Sequence, residues 1–136
     1  MNFEASRAKA IDKLNNFVEK NLSDYSKLRN FDFGPDKRGN VSCLSPYVTH
    51  GIINEIEIIK KSLARFSFSK NEKFIQEVLW RTYWKGWLEL RPNVWIDYLV
   101  SLKNIREKFR DNKEYLNAME GNTNIECFNE WVKELK

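Results

Sequence analysis

Apolar residues recur every three or four positions along most of this chain, and that spacing constrains the fold more than any other feature. In the first segment they leave lysine, asparagine and aspartate on the opposite face; the apolar positions are Phe3, Ala10, Ile11, Leu14, Phe17 and Val18. This pattern is typical of an amphipathic helix, which we expect from about Phe3 to Lys20. Glycine and proline, with five and three copies in 136 residues, are scarce, which favours long helices over a turn-rich sheet sandwich. The sequence therefore predicts an all-α fold.

Capping residues mark the starts of the next two predicted helices. A second helix is expected from Ser45 to near Arg65, with Ser45 as its N-cap and Pro46 at the first helical position. A third is expected after Ser69, because Ser69 and Glu72 have the spacing of a capping box. Each start is a local prediction that depends on one or two side chains.

The rest of the chain continues the helical pattern. After Pro92, apolar residues predict a helix over 94–109, and a last helix is expected over 125–135 after a turn at 121–124. Residues 21–40 look irregular, and the aromatic residues Tyr25, Phe31 and Phe33 indicate a loop packed onto the body. With no internal repeat, we predict residues 1–136 to form a single helical domain. Because the chain ends inside its last helix, we interpret that domain as part of a larger body.

Composition excludes few classes of partner. The net charge of +4, from 23 basic and 19 acidic residues, permits contact with nucleic acid, but a lysine-rich surface explains it equally well. Cys43, Cys127 and His50 lack the spacing of a metal site. No apolar run approaches the ~20 residues of a membrane span, and the N-terminus lacks a signal core. We therefore expect no metal, no membrane contact and a reduced, cytoplasmic setting.

The segment 39–51, GNVSCLSPYVTHG, combines a loop with a helix start. Hydroxyls from Ser42 and Ser45, free backbone N–H groups and a positive helix end together favour a phosphate. Lys37 and Arg38 precede them closely in sequence. Many helices begin with Ser-Pro and bind nothing, so this motif alone predicts an anion site only weakly.

The third predicted helix is rich in aromatic residues. Trp80, Trp84 and Trp87 are spaced so that they share one stripe. A buried core stripe is the commoner interpretation, and a surface that stacks a flavin, an adenine or a flipped base is the alternative. Glu77 and Arg81, one turn apart, could simply pair. No nucleophile triad, Walker loop or paired-carboxylate motif is present, so the sequence names no catalytic residue.

Three blocks resemble one known family. The blocks Tyr25-x-x-x-Arg29, VSCLSPYVTHG and EKFIQEVLWRTYW resemble, in order, the FAD-binding helical domain of DNA photolyases and cryptochromes. The family signatures are close to TSxLSPYLxxG and ExFxxELxWRxFY. The stretches RNFDFGPDKRG and WRTYWKGWLELRP look most like a bacterial photolyase-related branch. The resemblance covers nearly the whole chain and implies the helical bundle portion of that FAD-binding domain.

The resemblance also implies site residues. Those matching the FAD site are Tyr25, Val41, Ser42, Cys43, Leu44, Ser45, Phe74 and Arg81. Those matching the cavity that receives a flipped pyrimidine dimer are Glu77, Trp80 and Trp84. Two positions depart from the family pattern, because Val41 stands where threonine is usual and Phe74 where tryptophan is frequent. The first change removes a hydroxyl contact and the second removes an N–H.

The resemblance implies a function for the whole family protein. Such a protein binds FAD and DNA, and photoexcited reduced FAD donates an electron that splits a pyrimidine dimer. The family's antenna domain and the continuation that cradles the flavin ring have no counterpart in residues 1–136. We therefore expect a truncated form that does not repair DNA alone. The alternative is a non-catalytic helical module that binds nucleotide or nucleic acid, or a second chain or dimer mate that covers exposed helices.

Overall fold

The computed structural model describes residues 3–136, and every regular element in that range is helical. The α-helices are α1 (Arg7–Lys20), α2 (Tyr25–Leu28), α3 (Ser45–Thr49), α4 (Glu55–Arg65), α5 (Phe68–Glu89), α6 (Pro92–Lys108), α7 (Lys113–Glu120) and α8 (Glu126–Leu135). Two 3₁₀ turns, Leu22–Asp24 and Arg38–Asn40, interrupt the segment between α1 and α3. The predicted all-α fold is confirmed. No helix within 3–136 combines the length and the apolar character that crossing a bilayer requires.

The chain divides into two compact units. The first extends to Lys85 and the second covers Gly86–Lys136, so α5 contributes residues to both. Compactness alone does not show whether a unit folds independently. The single domain inferred from the sequence therefore stays a prediction.

The first unit has a hydrophobic core in which α1 packs against α4. The buried apolar residues of this core are Ala10, Leu14, Phe17, Val18, Leu22, Leu44, Tyr47, Ile53, Ile58 and Phe74. The rings of Phe17 and Tyr25 lie 5.3 and 5.2 Å from the ring of Phe74. These contacts pack α2 and α5 together, as apolar burial favours. Of the loop aromatics, Tyr25 packs as expected, but Phe31 and Phe33 are exposed and stack on each other.

The helix expected from Ser45 to Arg65 is two helices, so that prediction was wrong. Gly51 has a φ of 66°, a left-handed conformation that ends α3. Asn54 then starts α4 with a full capping box, because its Oδ1 accepts from the N–H of Glu57 and the Glu57 carboxylate accepts from the N–H of Asn54, both at 3.0 Å. The spacing of Asn54 and Glu57 in the sequence carried this information.

Two predicted caps were also wrong. Ser45 is the first residue of α3, and Leu44 stands at the N-cap without a capping side chain. Ser69 lies inside α5, because the carbonyl of Ser67 accepts from the N–H groups of Lys70 and Asn71 at 3.2 Å and starts the helix earlier. Helix α1 begins later than Phe3, at Arg7.

The second unit joins the end of α5 to α6, α7 and α8. Helix α6 begins at Pro92 and α8 follows the predicted turn at 121–124, while α7 was missed. Gly121, with a φ of 74°, ends α7, and Asn129 ties the turn by donating to the carbonyl of Thr123 at 2.7 Å. No apolar side chain of this unit is buried within the described residues, and Trp95 is 61% exposed. The unit therefore lacks the dense core of the first.

Candidate functional site

A cavity of about 170 Å³ in the first unit brings together four separate stretches of the chain. Its walls include seven of the eleven site residues expected from the sequence: Tyr25, Ser42, Leu44, Ser45, Phe74, Glu77 and Arg81. Val41 and Cys43 line a second cavity instead, together with Ser42. Trp80 and Trp84 are not among the residues that line either cavity.

Hydrogen bonds to nearby backbone carbonyls hold the loop that precedes α3 in place. The side-chain amide of Asn40 donates to the carbonyls of Leu28 and Phe31, both at 2.8 Å. The N–H of Val41 donates to the carbonyl of Arg38 at 3.3 Å. Cys43 then adopts a φ of 50°, a conformation that is uncommon for a residue with a Cβ. This turn places Ser42 and Ser45 on the wall of the first cavity.

Helix α3 has only five residues, so its macrodipole is too small to attract an anion strongly. Any anion affinity must come from hydroxyls, N–H groups and cations. Within residues 3–136, the N–H groups of Ser42 and Cys43 donate to no protein acceptor. They remain available to a ligand.

Two ion pairs set the charge of the first cavity. Arg81 Nε lies 3.6 Å from Glu55 Oε1, and the Thr82 hydroxyl donates to the same oxygen at 3.4 Å. Arg29 Nε lies 3.7 Å from Glu77 Oε1. The hypothesis that Glu77 and Arg81 pair with each other is therefore wrong, since each pairs with a residue from another helix or its flank. Such partly exposed pairs contribute little to stability, but they leave charges of both signs on the wall of the first cavity.

Glu55 is the charged lining residue that the sequence interpretation missed, together with the apolar Val48, Ile58 and Val78. It is the first residue of α4, and it was placed inside a longer helix because the start at Asn54 went unrecognised. Had the capping box been read, the carboxylate of Glu55 would have been expected in the first turn of a separate helix.

Tyr25 contributes a neutral phenol to the same cavity. Burial raises the pKa of this phenol, the Glu77 carboxylate raises it further, and Arg29 opposes both. The neutral form can both donate and accept a hydrogen bond. Its ring, edge-on to Phe74, forms the apolar side of the cavity.

The tryptophans of α5 in the first unit are not core residues. Trp80 is 45% exposed and Trp84 is 49% exposed, so the core-stripe interpretation was wrong for them. Their rings stack at 5.9 Å, and Tyr83 meets both edge-on, at 5.3 and 5.5 Å. We call Trp80, Tyr83 and Trp84 the aromatic cluster. It offers exposed, flat apolar surface on the helix that also carries Glu77 and Arg81.

The chain matches no protein family, curated protein or solved structure. Its function therefore has to be inferred from the residues of the site.

Proposed function

We propose that this chain is the cofactor-holding part of a photolyase-like flavoprotein, and that the 170 Å³ cavity holds the sugar and phosphate portion of FAD. One observation carries the proposal. Seven residues that the resemblance assigned to the cofactor or substrate, drawn from α2, from the loop leading into α3 and from α5, line a single cavity. Residues scattered over this length of sequence share a wall only if the fold brings them together.

The residues fit the polar middle of FAD. The hydroxyls of Ser42 and Ser45 and the guanidinium of Arg81 can donate to phosphate oxygens. The carboxylates of Glu55 and Glu77 can accept from sugar hydroxyls, as acidic residues do at ribose. A mixed set of donors and acceptors suits a sugar-phosphate better than a bare dianion.

The cavity is smaller than the ~300–1,000 Å³ of sites that enclose a whole cofactor. We therefore propose that it grips part of FAD and that residues 1–136 do not repair DNA by themselves. Bound reduced FAD would supply the light-driven electron that splits a pyrimidine dimer. In this chain Phe74 supplies an apolar wall, and Val41, which lacks a hydroxyl, offers no side-chain donor.

DNA with a pyrimidine dimer is the proposed substrate of the complete protein. Trp80 and Trp84, half exposed on the helix that also carries Glu77, offer aromatic surface on which unpaired bases can stack. The same exposure favours a second candidate function, a non-catalytic module that binds nucleotide or nucleic acid. The exposed apolar side chains of α6 also permit a partner chain.

The cofactor proposal is tested by titrating the purified protein with FAD and following flavin absorbance and fluorescence. We expect saturable binding, and Arg81→Gln should weaken it about 10- to 100-fold, since one charge-assisted hydrogen bond is worth ~1.5–3 kcal/mol. Arg65→Gln is the matched control, because Arg65 ends α4 outside the cavity. No FAD uptake, or equal affinities for the two variants, would contradict the proposal.

The DNA proposal is tested with oligonucleotides that carry or lack a pyrimidine dimer, at two salt concentrations. We expect tighter binding of the damaged strand, and Trp80→Ala should remove that preference. Trp95→Ala, an exposed tryptophan of the second unit, is the control. Equal affinity of the unaltered protein for both strands would contradict a dimer-binding surface.

A further inference from the structure

The turn between α4 and α5 concentrates the positive charge of this chain. Residues 60–73, KKSLARFSFSKNEK, hold five of the 23 basic residues and one of the 19 acidic residues, so the remaining 18 basic and 18 acidic residues balance each other. The net charge of +4 is therefore carried by this short segment. We call its five basic residues the basic corner: Lys60, Lys61, Arg65, Lys70 and Lys73.

The cations of the basic corner are exposed and are not compensated by ion pairs. Within residues 3–136, none of the five has a carboxylate oxygen within 4.0 Å, unlike Arg29 and Arg81. The acidic residue of the segment, Glu72, accepts from Gln76 Nε2 at 3.1 Å. Lys73 Nζ donates to the amide oxygen of Gln76, also at 3.1 Å. The corner therefore keeps its excess charge available to a ligand.

Phe66 fixes the positions of two of these cations. The guanidinium of Arg65 lies 5.4 Å from the centre of its ring, and Lys70 Nζ lies 5.8 Å from the same point. The ring packs against the core of the first unit, and the buried amide of Asn71 holds the turn by donating to the carbonyls of Ser62 and Phe66. Cations that rest on a ring are attracted to its face and keep their N–H donors. Arg65 and Lys70 are thus placed on either side of a fixed turn.

Lys70 and Lys73 line one cavity of about 190 Å³. The other residues of its lining are Ser26, Ser69, Glu72 and Gln76. Two cations and two hydroxyls can donate to the oxygens of a phosphate group, and they outnumber the one carboxylate. The α4 cations of the corner extend this positive surface beyond the cavity.

An exposed ring accompanies the charge. Phe68, the first residue of α5, is 59% exposed and lies between Arg65 and Lys70 in sequence. Cations that follow the phosphates, together with an aromatic face for the bases, are the combination by which proteins bind single strands. A helix that lies on a membrane instead needs a free apolar face, whereas Ile58 of α4 is buried in the core. The corner therefore fits a nucleic acid strand better than a lipid surface.

We propose that the basic corner binds single-stranded nucleic acid, with its cations on neighbouring phosphates and Phe68 stacked on a base. The surface is distinct from the cavity proposed for FAD, whose lining includes none of the corner residues. It holds damaged and undamaged strands alike, because phosphate contacts carry no sequence information. The inference therefore depends neither on FAD binding nor on recognition of a dimer at Trp80.

The test measures fluorescence anisotropy of a labelled, undamaged oligothymidine with the full chain at several salt concentrations. We expect saturable binding that the double variant Arg65→Gln/Lys70→Gln weakens about 10-fold or more. That variant should also reduce the slope of log K against log salt by about 1.4, because each phosphate contact on a single strand contributes ~0.7. The matched control is Arg106→Gln/Lys108→Gln, which removes one exposed arginine and one exposed lysine from α6. It should change the affinity less than about 2-fold, since it loses only screened charges away from the contact.

Two further comparisons separate the roles of ring and charge. Phe68→Ala leaves every charge in place and should weaken binding about 5-fold or more by removing a stacked ring, with Trp95→Ala as the exposed aromatic control. Against a strand with a pyrimidine dimer, Arg65→Gln/Lys70→Gln should lower the affinity for damaged and undamaged strands by the same factor. Circular dichroism should show every variant folded.

Four results would overturn the proposal. The first three are absence of saturable binding by the unaltered chain, equal losses in the two double variants, and a salt slope that Arg65→Gln/Lys70→Gln leaves unchanged. The fourth is binding to phosphatidylserine vesicles that needs Arg65 and Lys70 while oligothymidine is not bound, which would assign the corner to a membrane surface. Failure of FAD uptake or of dimer preference leaves these outcomes readable, since the titration contains no flavin and no lesion.

Discussion

Single backbone positions decide where helices end in this protein. Gly51 and Gly121 both have positive φ and each closes a helix, although the apolar pattern alone would have continued the helix past Gly51. At Gly121 the space is also limited, because an added Cβ would lie 2.9 Å from Cβ and Cγ1 of Val132. The residue is therefore required by conformation and by packing between α7 and α8.

Gly121→Ala should destabilise the second unit. A left-handed alanine costs roughly 1–2 kcal/mol, and overpacking against Val132 adds about 1 kcal/mol or more. Chemical denaturation measures the loss in the free energy of unfolding, and hydrogen exchange of α7 and α8 shows whether the loss lies in the second unit. Gly86→Ala is the control, since Gly86 lies within α5 with open space around it, and there alanine should stabilise by up to ~1 kcal/mol. Equal stability of the two variants would contradict the packing argument.

Glu57 links the start of α4 to α1. Its carboxylate accepts from the Arg7 guanidinium and from the N–H of Asn54, and Arg7 also donates to the carbonyl of Ile52 at 2.8 Å. The Arg7 hydrogen bond, followed by that from Asn54, holds the pKa of Glu57 below its ordinary value. The ionised form is thus favoured in the folded state.

Glu57→Gln should therefore destabilise the protein in a pH-dependent way. A lowered folded pKa contributes stability that is present above the unfolded value of 4.5 and is lost as pH falls through the folded value. The difference between unaltered protein and variant should be full at pH 7 and should shrink below about pH 4. Urea denaturation at pH 7, 5 and 3 measures it, and a difference that is constant with pH would contradict the assignment.

The joint between α4 and α5 depends on one buried side chain. Asn71, 1% exposed, donates from Nδ2 to the carbonyls of Ser62 and Phe66 at 2.9 and 3.0 Å. Ser62 lies in the last turn of α4, where its carbonyl also accepts from the N–H of Phe66 at 3.0 Å, and Phe66 follows directly after the helix. Asn71 thereby holds α4, with Glu55, at a set angle to α5, with Arg81.

Asn71→Ala should cost roughly 1–3 kcal/mol, because it removes two hydrogen bonds from a buried side chain, each worth ~0.5–1.5 kcal/mol. Gln76→Ala removes only exposed hydrogen bonds of α5 and should stay within about 0.5 kcal/mol. Thermal and urea unfolding compare the two. A loss for Asn71→Ala no larger than for Gln76→Ala would mean that water replaces the amide.

At the level of the whole molecule, the two units are built differently. The first buries ten apolar residues in one cluster, whereas the described side chains of the second are exposed or partly buried. The first unit also carries the excess positive charge, with fifteen basic and ten acidic residues against eight and nine in 86–136. The cavity proposed to hold part of FAD lies in the first unit.

Hydrogen exchange should show this difference directly. Amides of α1 and α4 should be protected by the core, while those of α6 should exchange faster, because protection follows buried apolar contacts. Mass spectrometry of peptides from the two units measures the rates over minutes to hours. Equal protection of α1 and α6 at low protein concentration would show that the second unit is stabilised by contacts other than its own core.

Helical spacing of apolar residues, as between Leu14 and Phe17 or between Trp95 and Tyr98, is a local pattern. The sequence by itself therefore determined the fold class and most of the helices. Family-like motifs also named the candidate residues in advance. The end of α3 at Gly51 and the start of α4 at Asn54 were missed, because the apolar pattern continues through both positions. The first boundary depends on a positive φ and the second on a reciprocal pair of hydrogen bonds.

Only the tertiary structure decided which residues meet. It paired Arg81 with Glu55 and Arg29 with Glu77, and it exposed Trp80. Such outcomes depend on through-space distances between helices, and no spacing along the chain encodes them. The physical reason is that secondary structure follows nearest neighbours in sequence, whereas a binding site is made by chain segments that core packing brings together.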